Sequence, residues 1–242
     1  MEDKTVSRNI TMKCTVVLLA SALALASLAA HAESPVPIPP PVADAPAQSA
    51  GLETAVLAGG CFWGIQAVYQ HVKGVKNAVS GYVGGTQKDA VYETISLGRT
   101  GHAESVKVTF DPRKVSYGKI LQIYFSVAHD PTQLNRQGPD AGPQYRSEIF
   151  PQSEAQQKIA KDYITQLDKT RIFKRPIVTK TDTMKTPFFA AEAYHQDYAI
   201  KHPLQPYIAI NDAPKVENLK KMFPDVWREQ PVTVAEAGGV GG

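Results

Sequence analysis

Apolar positions along the chain recur with two periods. Ile65, Val68, Tyr69 and Val72 repeat at i, i+3, i+4 and i+7, which predicts a helix over residues 62–72 with one buried stripe. Val106, Val108 and Phe110 alternate with polar residues, which predicts a strand over 103–112 with one buried face. "ETAVLA" (53–58) is an apolar run of strand length, and "VKNAVSGYVGG" (75–85) is a second strand closed by a glycine turn. Ser116 caps an amphipathic helix over 116–129, and Ser153 caps another over 153–167. Short strands are expected at 144–150 and 176–183, and a short helix at 190–199. The first four strands and two main helices follow the order β-α-β-β-α-β, with a loop or short helix at 86–101. That order predicts the α+β class. The expected core is a ferredoxin-like split βαβ, a mixed sheet with helices packed on it, with long loops and a C-terminal extension. Such a layer leaves one sheet face, or the strand-to-helix corners, for a site.

The ends of the chain depart from this pattern. Lys4, Arg8 and Lys13 precede the uncharged run "TVVLLASALALASLAA" (15–30), and "AHA" (30–32) has the form of a cleavage site. Residues 1–32 are therefore expected to be a secretory signal peptide, with Met12 as an alternative start. The run is short for a retained anchor, so no stable membrane insertion is expected after cleavage. The protein is expected to be exported, to the periplasm where the source has two membranes. Residues 33–51, rich in Pro and Ala, predict a semi-extended linker with no core of its own. The domain is expected over 52–230, with a flexible tail at 231–242. The net charge of +3, without a block of Lys or Arg, points away from nucleic acid as a partner. Nothing in the sequence requires more than a monomer.

The cysteines sharpen the picture. Of two, Cys14 precedes the apolar run and would be lost on cleavage, leaving Cys61 alone. An unpaired thiol in an exported chain is either a buried spectator or a reactive group. Cys61 lies in "LAGGCFWGIQAV" (57–68), where a strand gives way to a helix. Free helix N–H groups and the positive end of the helix dipole would stabilise a thiolate there, below the usual pKa of about 8.5. Gly59 and Gly60 would allow a tight turn and close approach of a substrate. Phe62 and Trp63 either pack in the core or wall an apolar pocket. Glu104 opens a strand after a glycine turn, and Asp140 and Tyr145 lie in the loop "NRQGPDAGPQYRS" (135–147). Composition alone does not bring these residues to Cys61.

Other chemistries are weighed beside this one. A thiol hydrolase would pair Cys61 with His71, His102, His129, His195 or His202 as base, but the papain-type context is absent. A non-enzymatic export-pathway binding module would keep its function after Cys61→Ser. Glu192 and His195 form a single E-x-x-H pair without a second copy, and there is no C-x-x-C, so no metal is expected. His195 fits a hydrogen bond beneath the site or at the helix surface, and Tyr194 and Tyr198 are expected in the core.

Four motifs then occur in a telling order. "GGCFWG" (59–64), "TGHAE" (100–104), "HDPTQLNRQGPDAGPQYRS" (129–147) and "AEAYHQDY" (191–198) resemble those of A-class peptide methionine sulfoxide reductases, over Thr54 to Phe223. The resemblance implies that Cys61 is the nucleophile and Glu104 the acid. It implies that Tyr92 and Tyr145 hydrogen-bond the sulfoxide oxygen, that Phe62 and Trp63 hold the substrate methyl, and that Asp140 helps fix the substrate backbone. The implied activity is thiol-dependent reduction of methionine S-sulfoxide, free or in proteins, to methionine through a Cys61 sulfenic acid, which repairs oxidised proteins. Many members carry a resolving cysteine near the C-terminus; residues 211–242 contain none. The chain therefore resembles a variant without that thiol. The expectation is no metal or organic cofactor, and regeneration by an external thiol such as a thioredoxin-like protein or glutathione. Its expected partners are that reductant and oxidised methionine-containing proteins or peptides.

Overall fold

The apolar periods become a sheet with helices laid on one face. The computed structural model describes residues 34–45 and 51–239. The signal peptide expected over 1–32, and Cys14 within it, lie outside the described residues. Among the described residues no helix is long and apolar enough to cross a membrane.

The core elements are β1 (Glu53–Gly59), α1 (Phe62–Gln70), β2 (Val75–Val83), β3 (Ala103–Phe110), α2 (Tyr117–Ile123) and β4 (Ser147–Phe150). They are followed by α3 (Glu154–Thr170), β5 (Lys180–Thr181), β6 (Phe189–Ala190) and α4 (Ala213–Met222). The sheet order is β5-β4-β1-β3-β2-β6. Within it β4-β1-β3-β2 are all antiparallel neighbours, with Leu57 facing Val106 and Tyr82 facing Glu104. β5 joins β4 in parallel, so the sheet is mixed. This is the split βαβ arrangement that the element order predicts.

Alternation decides the two faces. Leu57, Tyr82, Val106, Val108 and Phe110 meet the stripe Ile65, Val68, Tyr69 and Val72 of α1 and its C-terminal turn, all fully buried. Burying one such side chain contributes about 1.5–3 kcal/mol before entropy is counted. Val56, Ala58, Val83 and Phe150 face the other way, under Met184 and Phe188.

Several local expectations change. The helix from Ser116 is α-helical only to Ile123 and continues as a π turn over Tyr124–Ala128. The strand expected at 144–150 begins at Ser147, because Pro143–Tyr145 form a 3-10 turn after Gly142. The strand expected at 176–183 shrinks to Lys180–Thr181 at the sheet edge. The helix expected at 190–199 breaks where Asp197 adopts the left-handed conformation (φ 60°), leaving a 3-10 turn at Ala193–His195 and a helix at Tyr198–Lys201. The helix α4 was not expected.

Two terminal segments are anchored rather than free. Residues 34–45 are extended, as the prolines dictate, but Ile38 is buried in the main core. Residues 231–239 are held by Val232 N–H to Gln70 O (3.0 Å) and by Val234 N–H to the Asp197 carboxylate (3.0 Å). The flexible tail expected over 231–242 is thus corrected for 231–239: valines in a polar stretch find a buried partner. Residues 240–242 lie outside the described residues.

Candidate active site

Cys61 is the N-cap of α1, at the corner where β1 turns into the helix. The turn needs Gly60, whose φ is +93°. The close approach that the neighbouring glycines permit is internal. A Cβ on Gly59 would lie 2.9 Å from the His129 ring, one on Gly60 2.5 Å from Gln137 Cβ, and one on Gly64 2.2 Å from Asp212 Oδ1. Gly59 and Gly60, expected to admit a substrate, instead admit His129 and Gln137, and Gly64 admits Asp212.

One free N–H of α1 is taken by a carboxyl: Phe62 N–H donates to Glu104 Oε2 (3.1 Å), whereas the Cys61 side chain makes no capping hydrogen bond. The lowered thiol pKa expected from this position is not found. Burial pushes the thiol well above its usual range, and the carboxyl groups of Glu104, Asp212 and Asp140 push it further. The Trp63 N–H opposes them but does not prevail. Burial likewise raises the Glu104 carboxyl to about 8, with Asp140 and Asp212 adding to the effect and the Phe62 N–H resisting it. At neutral pH the Cys61 thiol and the Glu104 carboxyl therefore both rest protonated. Iodoacetamide should accordingly alkylate Cys61 in the folded enzyme more slowly than a free cysteine at pH 7, with the rate climbing well above pH 9. Stopped-flow alkylation across pH checks this; a rate at pH 7 above that of the free thiol contradicts it.

The phenols of Tyr92 and Tyr145 lie within electrostatic reach of Cys61 and Glu104, and burial raises both pKa values. They are neutral donors at physiological pH. Tyr92 stands at the start of the short helix Tyr92–Ile95, Tyr145 on the turn before β4. Asp140 lies in a small hairpin, Arg136–Gln137 with Asp140–Ala141, and accepts a hydrogen bond from the Tyr207 hydroxyl. Phe62 is buried against Tyr82 and His195 (ring centroids 5.7 and 5.0 Å). Trp63 is half-buried, stacked on Tyr198 (3.9 Å, 13°) and edge-on to Tyr207 (6.0 Å, 84°). The structure thus brings Cys61, Glu104, Phe62, Trp63, Tyr92, Asp140 and Tyr145 to one corner of the sheet.

The "AEAYHQDY" segment is the scaffold behind them. His195 Nδ1 accepts from the Trp63 indole N–H (3.1 Å), which fixes the indole plane. Glu192 accepts from Tyr92 N–H (2.8 Å) and from the Tyr82 hydroxyl (2.9 Å). Gln196 and Gln66 bond each other (2.9 Å), and Gln70 donates to Asp197 (2.7 Å), so the segment is clipped to α1. Tyr194 is exposed, contrary to its expected place in the core, because the break at Gln196–Asp197 turns it outward.

Two residues near Cys61 escaped the sequence reading. Tyr207 carries no local signal. Asp212 is wholly buried, 3.4 Å from the Lys215 ammonium, and its carboxyl is raised to about 6 by burial. "DAP" at 212–214 was a legible helix start, with proline in the first turn of α4.

Among the described residues the histidines make their hydrogen bonds and ring contacts to groups other than Cys61. His71 bonds Arg228 O (2.9 Å), His102 bonds Thr100 Oγ1 (2.9 Å), and His129 bonds Tyr124 O (3.0 Å) and Ser147 Oγ (2.7 Å). The His202 ring packs on Tyr198. Among the described residues no hydrogen bond joins Cys61 to the histidine base that a thiol hydrolase needs.

Comparison with known proteins agrees with this arrangement. The profile of the family described as peptide methionine sulfoxide reductase matches residues 53–226. Peptide methionine sulfoxide reductase MsrA 2 of Mesorhizobium japonicum is 61% identical over 187 residues, covering 77% of this chain and 95% of the relative. The protein of the same name from Synechocystis sp. is 46% identical over 180 residues, covering 74% and 84%. Among solved structures, reduced Mxr1 from Saccharomyces cerevisiae aligns with a TM-score of 0.59 at 30% identity, covering 68% of this chain and 93% of that one. Methionine sulfoxide reductase A of Corynebacterium diphtheriae aligns with a TM-score of 0.55 at 32% identity, covering 72% and 86%. The matched span contains the whole corner around Cys61, and the chain belongs to the peptide methionine sulfoxide reductase family.

Proposed function

We propose that Cys61 is the nucleophile and Glu104 the proton donor with which this chain reduces methionine sulfoxide to methionine. The observation that carries the assignment is their pairing at the start of α1: the Cys61 thiol at the N-cap, raised by burial and by Glu104, beside a Glu104 carboxyl raised to about 8 that accepts the Phe62 N–H (3.1 Å).

The chemistry follows from that pairing. A sulfoxide oxygen carries negative charge and leaves poorly until it is protonated. Tyr92 and Tyr145 donate hydrogen bonds to it, and Glu104, neutral at pH 7, gives it a proton. The sulfoxide sulfur becomes electrophilic, and the Glu104 carboxylate left by that transfer takes up the Cys61 thiol proton as the sulfur attacks. The Cys61 sulfur attacks, the S–O bond breaks, and the oxygen ends on Cys61. One thiol and one sulfoxide thus give one sulfenic acid and one thioether, a two-electron exchange. Trp63, held by His195 and Tyr198, forms the apolar wall for the S-methyl group, with Phe62 behind it. Asp140, supported by Tyr207, accepts from the substrate backbone. Donors on one side and an aromatic wall on the other select one sulfoxide epimer, the S form.

Among the described residues Cys61 is the free cysteine, and residues 211–242 hold no second thiol. Regeneration therefore uses an external thiol, thioredoxin-like or glutathione-like. The first thiol displaces water from the sulfenic acid to give a mixed disulfide; a second releases Cys61. The basic and apolar leader over 4–30 supports export, and the periplasm as the working compartment of a two-membrane cell. All the proposed groups come from one chain, so a monomer suffices.

The test is turnover of each epimer of a blocked methionine sulfoxide with dithiothreitol. The wild type should reduce only the S epimer. Cys61→Ser should lose turnover while keeping its Tm, and a sulfenic-acid reagent should label wild type once per chain after one turnover. Turnover by Cys61→Ser, or equal use of both epimers, overturns the assignment.

A further inference from the structure

Residues 36–45 lie across the domain as a ligand lies in a groove. The walls are α2 with its π turn on one side and α3 on the other. Four carbonyls of the segment are each read by a separate donor. Ser126 Oγ donates to Val36 O (2.6 Å), Gln122 Nε2 to Ile38 O (2.9 Å), the Tyr163 hydroxyl to Pro39 O (2.6 Å) and Gln166 Nε2 to Pro40 O (2.9 Å). Gln166 Oε1 then accepts from Val42 N–H (2.9 Å). Ile38 is buried in the core, and the Asp44 carboxylate accepts from Gly118 N–H (2.8 Å) and Ser116 Oγ–H (2.5 Å).

The chemistry of the occupant matches that of the groove. "PIPPP" (37–41) lacks N–H groups at its prolines, so this stretch offers mainly acceptors, and the helices present mainly donors. A proline-rich strand is already extended before it docks and loses little entropy on binding. Gly118 records the fit from the other side. A Cβ there would lie 2.4 Å from Asp44 Oδ2 and 2.6 Å from Pro41 Cγ.

We infer that this groove is a binding site for a proline-rich peptide that carries an acidic residue after its prolines, and that the chain fills it with its own residues 36–45. The segment is then a bound element of the folded enzyme rather than a spacer. Through Ser126 it grips the turn that runs into His129, the residue packed on Gly59 beside the nucleophile.

The test disables the segment in the full chain with Ile38→Ser and Asp44→Ala together, then supplies it in trans as a peptide of residues 34–45. Losing several hydrogen bonds and one buried side chain should lower Tm by about 5 °C. The peptide should bind saturably and restore most of that loss. Gly118→Ala added to the disabled chain should abolish peptide binding, since its methyl group occupies the seat of the acidic side chain. Should the double variant fail to fold, Asp44→Ala alone is measured in the same way. An unchanged Tm overturns the inference, and so does a lowered Tm that the peptide does not restore.

Discussion

Replacing Glu104 with glutamine is expected to lower kcat/KM for the S-sulfoxide by about 10²–10³ while making the protein more stable at alkaline pH. Glutamine keeps the shape and still accepts from Phe62 N–H, but it has no proton to give. In the wild type, activity should fall above pH 8 as Glu104 ionises, since its carboxyl is raised to about 8. The variant should lose that alkaline limb. The stability change has a definite sign. A carboxyl held at about 8 in the fold and near 4.5 when unfolded favours the folded state at low pH, and that contribution is lost as pH rises from 4.5 to 8. Each unit of that interval is worth about 1.4 kcal/mol. The difference in Tm between variant and wild type should therefore widen from pH 5 to pH 8 and then stay constant. A variant that retains full activity, or a gap in Tm that does not grow with pH, would refute the assignment of a buried acid.

Gly60→Ala is expected to destabilise the fold by about 3 kcal/mol or more, a loss of roughly 8 °C or greater in Tm for a domain of this size. Two costs add. The backbone at φ +93° is one that alanine rarely adopts, and the new Cβ would stand 2.5 Å from Gln137 Cβ. That neighbour cannot swing aside. Gln137 is buried, accepts from Asp130 N–H (3.2 Å) and donates to Asp130 O (3.1 Å). Moving it shifts the hairpin that carries Asp140, so kcat/KM should fall along with Tm. Gly51→Ala is the control, because nothing lies within 4 Å of a Cβ there and its Tm should not move. Thermal denaturation of both variants decides; equal Tm values would refute the steric account.

The elements that the sequence revealed are those where one period dominates. The stripe on α1, the alternation on β3 and the serine caps at 116 and 153 all act locally, and each is where the pattern puts it. Edges were harder, since Lys180–Thr181 and Phe189–Ala190 are strands only because a neighbour pairs with them. The proline segment conceals its docking for a related reason: its bonds go to residues 72–126 positions away in sequence. For the site, the motifs supplied the residue types and the resemblance supplied their roles. The thiol's ionisation was misjudged. A helix N-terminus is visible in sequence, but the burial of Cys61 and the approach of the Glu104, Asp212 and Asp140 carboxyls come from tertiary folding.

A sulfur kept protonated has a bearing on the enzyme's own survival. The oxidants that damage methionine also attack ionised thiols, driving them towards sulfinic and sulfonic acids that a simple reductant cannot reverse. Buried and seated among carboxyl groups, Cys61 presents peroxide with its less reactive form. Under the mechanism proposed above, the repair catalyst would be shielded from the conditions that create its workload, its nucleophile awakened by the damaged side chain itself.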